Sequence, residues 1–261
     1  MTARTTTTGY DDVLEFLVAS GRRIKEHAGQ LPDLGVSKRF LTEEDLRIER
    51  ELGALIGRRF PGEDFVAEEE HDRSAHGNVH WVCDPISGTR TFLAGLASYG
   101  LVVARVVGTE PVFAAVYDPT MDELFEARAG AGARCNGRTL KVTSEAGQDG
   151  PRVHYNLTYE YRDPAEERRL YEGLTAFDLY RNTNSFGVNY CHVAAGRYDG
   201  FVALTKDAFP EVAGALVLRE AGGVFESFSG ERVVERDERR FLGGAPWCAE
   251  QLRKVVADRA S

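Results

Sequence analysis

The stretch WVCDPISGTRTFLAGLASYG, residues 81–100, decides how this chain folds and where its chemistry lies. Trp81, Val82 and Cys83 form a short apolar run of the kind that makes a buried strand. Asp84 and Pro85 break that run, and Ser87-Gly88-Thr89 read as the start of a helix. A strand that ends on an acid beside a helix N-terminus brings a carboxylate and outward-pointing backbone N–H groups together, which suits a cation and a phosphate. Ser87 is the residue out of place, a neutral hydroxyl where a second acid would hold a cation.

Outward from that stretch the periodicity changes. From residue 10 to 27, Val13, Leu14, Phe16, Leu17 and Ile24 recur at helical intervals. A second helix is predicted over Glu43–Arg59, with Thr42 as N-cap, Leu46, Ile48, Leu52, Leu55 and Ile56 inward, and Pro61-Gly62 as its stop. DFVAEEE, VHWVCD, YGLVVARVVG and PVFAAVYDP are short and rich in valine and aromatics, so they are predicted as strands, followed by hairpin-like sheet in ELFEARAGAGARCNGRTLKV. Beyond Arg152, strands RVHYNLTY and GFVALT alternate with helices PAEERRLYEGLTAF, GVNYCHVAAG and PEVAGALVLREAGG, the last closing on a glycine pair suited to a C-cap. This alternation predicts an α/β (α+β) fold of stacked helix and sheet layers.

A chain of 261 residues, 43% of them hydrophobic, can bury a large core. Its 32 basic and 41 acidic residues give a net charge of −9, which offers no basic footprint for nucleic acid or an anionic membrane, so any phosphate chemistry has to be local. Cys83, Cys135, Cys191 and Cys248 are widely spaced and are expected to be reduced thiols of a cytoplasmic protein. No stretch reaches the roughly 20 apolar residues of a membrane span. The threonine-rich residues 1–9 lack the apolar core of a signal peptide and are expected to form a flexible terminus.

Four acids fall at the ends of predicted elements: Asp45 in the first turn of the second helix, Glu68 and Glu69 after DFVA, and Asp84 after HWVC. Carboxylates at element ends can converge although distant in sequence, and Mg²⁺ takes oxygen ligands of this kind. Taken singly, Asp45 or Glu69 reads as a solvated surface acid. Their company with DPISGT favours a site in which the N–H groups of Ser87, Gly88 and Thr89 face a phosphate.

At this point the sequence resembles the inositol monophosphatase superfamily of Mg²⁺-dependent, typically lithium-sensitive phosphatases. FLTEEDLRIE, FVAEEE, WVCDPISGT, GARCNGRTLKVT and FPEVAGALVLREAGG resemble five family segments in the family order, across nearly all of the chain. The resemblance implies a layered fold commonly assembled as homodimers. It implies residues 1–9 as a flexible terminus, 10–150 as an N-terminal α+β half with the metal and phosphate motifs, and 151–261 as a C-terminal α/β half, together one compact catalytic unit. It makes Glu68 and Asp84 metal ligands with the Ile86 carbonyl, Asp45 and Thr89 the pair that positions and deprotonates the attacking water, and Glu69 an acid behind the ligands.

The departures from the family pattern are equally specific. The aspartate expected after Asp84-Pro85-Ile86 is Ser87, and the tryptophan-aspartate pair aligns with Phe209-Pro210. Both changes strike a second cation, so the expectation is one well-held Mg²⁺, or none. Ser87 is expected to act as the N-cap of the helix that follows it, and Pro210 to suit the first turn of another. Glu211 is one residue from the lost aspartate but rotated by about 100°. Arg90 and Lys206 are candidates to contact the phosphate in place of the missing cation, with solvated surface residues as the alternative. Ala203 stands where inositol-cleaving members carry a glutamate, and Asn184-Ser185 replaces a Gly-Thr pair, with Ser185 among the candidate substrate contacts.

His71, His76 and His80 crowd one segment, but Gly77 and Asn78 argue against a helical zinc pair. His192 is expected to be a satisfied structural residue, and Cys83 a buried strand residue rather than a nucleophile. Three functions remain open. One is a weakened or single-metal hydrolase of a small sugar, cyclitol or nucleotide phosphate. The second is an enzyme performing elimination, cyclisation or isomerisation on a phosphorylated or anionic molecule, and the third is a catalytically silent binding protein. In each case the partner is a small anionic molecule rather than nucleic acid or membrane.

Overall fold

Alternate residues of each strand feed different layers, and this stacks helices and sheets in turn. The computed structural model describes residues 9–35, 40–69, 77–158, 163–177, 179–182, 185–205, 209–232 and 238–257. The first sheet has seven strands in sequence order: β1 (Asp64–Ala67), β2 (Val79–Ser87), β3 (Gly100–Val107), β4 (Glu110–Asp118), β5 (Glu123–Arg128), β6 (Gly132–Cys135) and β7 (Arg138–Thr139). Only β1 and β2 run parallel in it; the other neighbours are antiparallel. The second sheet comprises β8 (Arg152–Leu157), β9 (Leu179–Asn182), β10 (Gly200–Leu204), β11 (Val224–Ser227) and β12 (Arg240–Gly244), in the order β11-β12-β10-β8-β9.

One face of the first sheet presents Leu101, Val103, Phe113, Ala115 and Tyr117 to α1 (Asp11–His27) and α2 (Glu43–Arg59), which contribute Val13, Leu17, Ile48 and Leu52. The opposite face presents Val102, Ala104, Ala114 and Val116 to α5 (Phe186–Ala194) and α6 (Phe209–Glu220). Phe201 and Phe241 of the second sheet enter the same cluster from the other side. Val202, Leu204 and Leu242 face away, onto α4 (Pro164–Leu174) and α7 (Pro246–Ala257). Each such aliphatic side chain contributes about 1.5–3 kcal/mol when fully buried. The order is helix, sheet, helix, sheet, helix.

The two N-terminal helices follow their apolar periodicity, and the last helix before the C-terminal strands ends as its glycine pair suggests. Gly222 is left-handed at φ 87°. Gly222 N donates to Arg219 O and Gly223 N to Leu218 O, both at 2.9 Å, which satisfies the final carbonyls of α6. Two readings change. The strand through HWVC does not stop at Asp84-Pro85 but runs to Ser87, because a bulge absorbs the proline: Asp84 pairs with Val102 and Ser87 with Gly100, three residues of β2 advancing against two of β3. The strands β9, β11 and β12 and the helix α7 have no counterpart among the predicted elements. Among the described residues no helix is long and apolar enough to cross a membrane.

The helices α5 and α6 approach closely because Gly214 has no Cβ; a methyl there would collide with the Tyr190 ring. Gly214→Ala is expected to destabilise the fold by about 1–3 kcal/mol through overpacking, read as a lower midpoint in urea unfolding.

Candidate active site

The parallel pairing of β1 and β2 assembles the acids. Ala67 lies opposite Cys83 in the last pair of that ladder, so Glu68, just past the end of β1, and Asp84, within β2, follow it on neighbouring strands. Both are nearly buried, at 8% and 5% exposure. Helix α2 reaches the same end with its first turns. Its inward stripe carries Ile48, Leu52 and Ile56, as the sequence predicts, with Leu46 and Leu55 half-buried, and it also carries Glu44, Asp45 and Glu49.

Asp45 is fully buried and held by a capping box. Its Oδ2 accepts from Thr42 N at 2.8 Å and from Thr42 Oγ1 at 2.5 Å. This leaves Oδ1 facing the hydroxyl of Thr89 across a long 3.4 Å contact. Thr89 is the first residue of α3 (Thr89–Leu93), and its Oγ1 donates to Ile86 O at 2.8 Å. The bulge at Pro85-Ile86 thus ties the Ile86 carbonyl to Thr89, and Thr89 to Asp45.

Glu69 follows Glu68 in a bend, and its N–H donates to Glu49 Oε2 at 3.1 Å. Cys83 reports how closely the acids gather. Burial pushes its thiol well above the ordinary range, and the negative charges of Asp84, Glu49, Glu68 and Glu69 push it further. Among the described residues no three His, Cys, Asp or Glu side chains group tightly enough to hold a metal by themselves. The expected donor set is of another kind: two carboxylates and one main-chain carbonyl. That set fits Mg²⁺, which takes few protein oxygens and keeps several waters.

Ser87 does not cap the helix that follows it. Gly88 is the residue before α3, left-handed at φ 90° with no side-chain cap. A Cβ on Gly88 would lie 3.1 Å from Ser98 O and 3.2 Å from Ser185 Cβ, so only glycine fits. Ser87 is instead the last residue of β2, 2% exposed, and its Oγ accepts from Gly187 N and from Ser185 Oγ, both at 3.3 Å. Ser185 is the N-cap of α5, accepting from Val188 N. The serine in place of an acid therefore joins the end of β2 to the start of another helix.

The remaining candidates divide. Phe209 packs against Val66 and Val82, and Pro210 is buried in the first turn of α6, as its missing N–H allows. Glu211 does not turn to the acids, for its Oε1 accepts from the buried Tyr190 hydroxyl at 2.7 Å. Arg90 is exposed, with its guanidinium 5.7 Å from the Phe40 ring centroid. Ala203 is fully buried in the core between the sheets. Lys206, Asn184, His71 and His76 lie outside the described residues. His80 is a buried residue of β2, not of a helix, which removes the helical zinc pair. His192 packs its ring against Phe125 and Tyr198 as a structural residue, its Nε2 is buried with no hydrogen-bond partner among the described residues, and burial, then the Arg197 charge, lower its pKa. The buried acid missed from sequence is Glu49, whereas Glu44, also buried, ion-pairs with Arg23. The signal for Glu49 was its place four residues after Asp45 on an inward stripe.

This stacking of layers is that of a solved IMPase from Thermotoga maritima, matched with a TM-score of 0.83 at 26% identity over 95% of this chain and 96% of that one. A model of the inositol monophosphatase family matches residues 16–259, and the chain belongs to that family. It is 28% identical over 220 residues to a fructose-1,6-bisphosphatase/inositol-1-monophosphatase of Aquifex aeolicus, covering 80% of this chain and 81% of that one. It is 30% identical over 219 residues to the Nus factor SuhB of Haemophilus influenzae, covering 83% and 82%.

No cysteine is set up as a nucleophile. Burial pushes Cys135 up to about 11 and Cys248 to about 12, and Cys191 well above its ordinary range. A raised thiol pKa favours the neutral form, so thiolate appears only as pH approaches these values. Iodoacetamide at pH 7 is expected to label the native chain slowly and the denatured chain fully, counted by mass spectrometry.

Proposed function

We propose that this protein hydrolyses a small phosphate monoester, of a sugar, cyclitol or nucleotide, with one Mg²⁺ held by Glu68, Asp84 and the Ile86 carbonyl. The observation that carries the proposal is the register that puts Glu68 and Asp84 next to each other where the β1–β2 ladder ends, together with an Asp45–Thr89 contact of 3.4 Å. When bound, the cation polarises a phosphoryl oxygen and offsets the charge of the ester.

The chain's own residues supply the base. Thr42 fixes one oxygen of Asp45, so the other is aimed at Thr89. In the reaction the Thr89 hydroxyl turns its one proton from the Ile86 carbonyl to Asp45 Oδ1; it passes that proton to Asp45 and takes one from a water seated against it, as the water oxygen attacks phosphorus. The P–O bond to the alcohol breaks, and the leaving oxygen takes a proton from solvent. Hydrogen bonds of this kind are often long in the free enzyme. Glu69 stands behind Glu68, and the N–H groups of Ser87, Gly88 and Thr89, with Arg90, Ser185 and Lys206, are the proposed contacts to the phosphate and the rest of the substrate.

The reading of a single cation is supported by what occupies the neighbouring positions. Ser87 Oγ is engaged by α5, Pro210 has no donor atom in its side chain, and Glu211 is bound to Tyr190. A second Mg²⁺ would have Asp84 and water alone, too few charged oxygens for tight binding. The rival reading, a non-hydrolytic reaction on an anionic substrate, draws on the same loss, since the base is retained while support for the leaving group is reduced.

Phosphate release from a panel of sugar, cyclitol and nucleotide monophosphates is expected to require Mg²⁺ and to fall by about 100-fold or more in Asp84→Asn. Absence of release from every substrate would transfer the argument to the rival. Calorimetric titration with Mg²⁺ is expected to give one site in the wild type and two in the Ser87→Asp, Pro210→Asp double variant; two tight sites in the wild type would overturn the single-cation reading.

A further inference from the structure

We infer that Glu49 is a positioning residue: its buried carboxylate holds the peptide between Glu68 and Glu69 and so sets the Glu68 carboxylate beside Asp84. The inference rests on the reading of Glu68 and Asp84 as cation ligands. Glu49 lies one turn along α2 from Asp45, on the same face, and is 0% exposed. Further along that stripe the inward positions are Leu52 and Ile56, which serve the packing against the sheet. Packing alone would place another aliphatic residue at 49. The sequence places a charge there.

That charge is buried against Glu69 and its neighbour Glu68. A buried carboxylate among acids persists only where hydrogen bonds offset the repulsion. The bond to Glu69 N at 3.1 Å is one such bond. The strand β1 ends at Ala67, so the ladder to β2 no longer governs residue 69, and α2 supplies the acceptor instead. Fixing this peptide fixes the direction in which the preceding side chain leaves the backbone.

The test compares Glu49→Gln, which keeps an acceptor oxygen at the same reach and loses the charge, with Glu49→Asp, which keeps the charge and withdraws the acceptor by one methylene. Mg²⁺ is titrated calorimetrically into the full chain stripped with EDTA, with Asp84→Asn alongside. Residues that orient metal ligands typically change affinity by about 10–100-fold. Glu49→Asp is expected to weaken Mg²⁺ binding by that factor, and Glu49→Gln to stay within about threefold of wild type. Hydrogen exchange of the Glu69 amide is expected to remain slow in Glu49→Gln and to quicken in Glu49→Asp.

A Glu49→Asp variant that melts lower in EDTA but binds Mg²⁺ as wild type does has lost only stability, and the inference falls. It falls equally if Glu49→Gln loses as much affinity as Glu49→Asp, for then charge and not the acceptor matters. Loss of binding in Asp84→Asn with none in Glu49→Asp overturns this inference and leaves the cation reading standing. A wild-type chain that takes up no Mg²⁺ overturns both.

Discussion

Like charges crowd one end of the first sheet because β1 and β2 run parallel there. The register that sets Ala67 against Cys83 leaves Glu68 and Asp84 as neighbours, and α2 brings Asp45 and Glu49 to the same end. Two unit charges about 4 Å apart near a protein surface repel by about 4 kcal/mol. Such an arrangement needs hydrogen bonds to offset it. The capping box on Asp45 and the peptide bond held by Glu49 are two of the offsetting bonds.

The rest of the fold serves to hold those element ends still. Both sheets are covered on both faces, so the strand ends cannot shift without disturbing the cores on either side. The bulge at Pro85-Ile86 turns β2 out of its ladder and leaves the Ile86 carbonyl to accept from Thr89 Oγ1, and a proline suits a position with no ladder bond to donate. Gly88 then lets the chain pass between Ser98 and Ser185 into α3.

The departures from the family pattern are built into this scaffold. Ser87 lost the charge of an acid and kept an acceptor, which the start of α5 now uses. Pro210 begins α6 without a ligand atom, while Glu211 beside it points into the core at Tyr190. Ser87, Pro210 and Glu211 thus satisfy backbone and core where they stand.

Much of this was legible in the residues. The periodicity of α1 and α2, the glycine-closed end of α6 and the valine-rich strands of the first sheet follow from local pattern, because each depends on neighbours in sequence. The short strands β9, β11 and β12 were not, since four or five residues carry little periodicity and are selected by their partners. Nor was the role of Ser87, whose partner lies 100 residues away at Gly187. The sequence by itself determined which residue types stand at the element ends, and therefore that an acidic, oxygen-donating site was available. Only the tertiary structure decided which side chains meet there. It turned Glu49 inward and Glu211 away, because the reach of a carboxylate depends on helix face and strand register rather than on its distance along the chain.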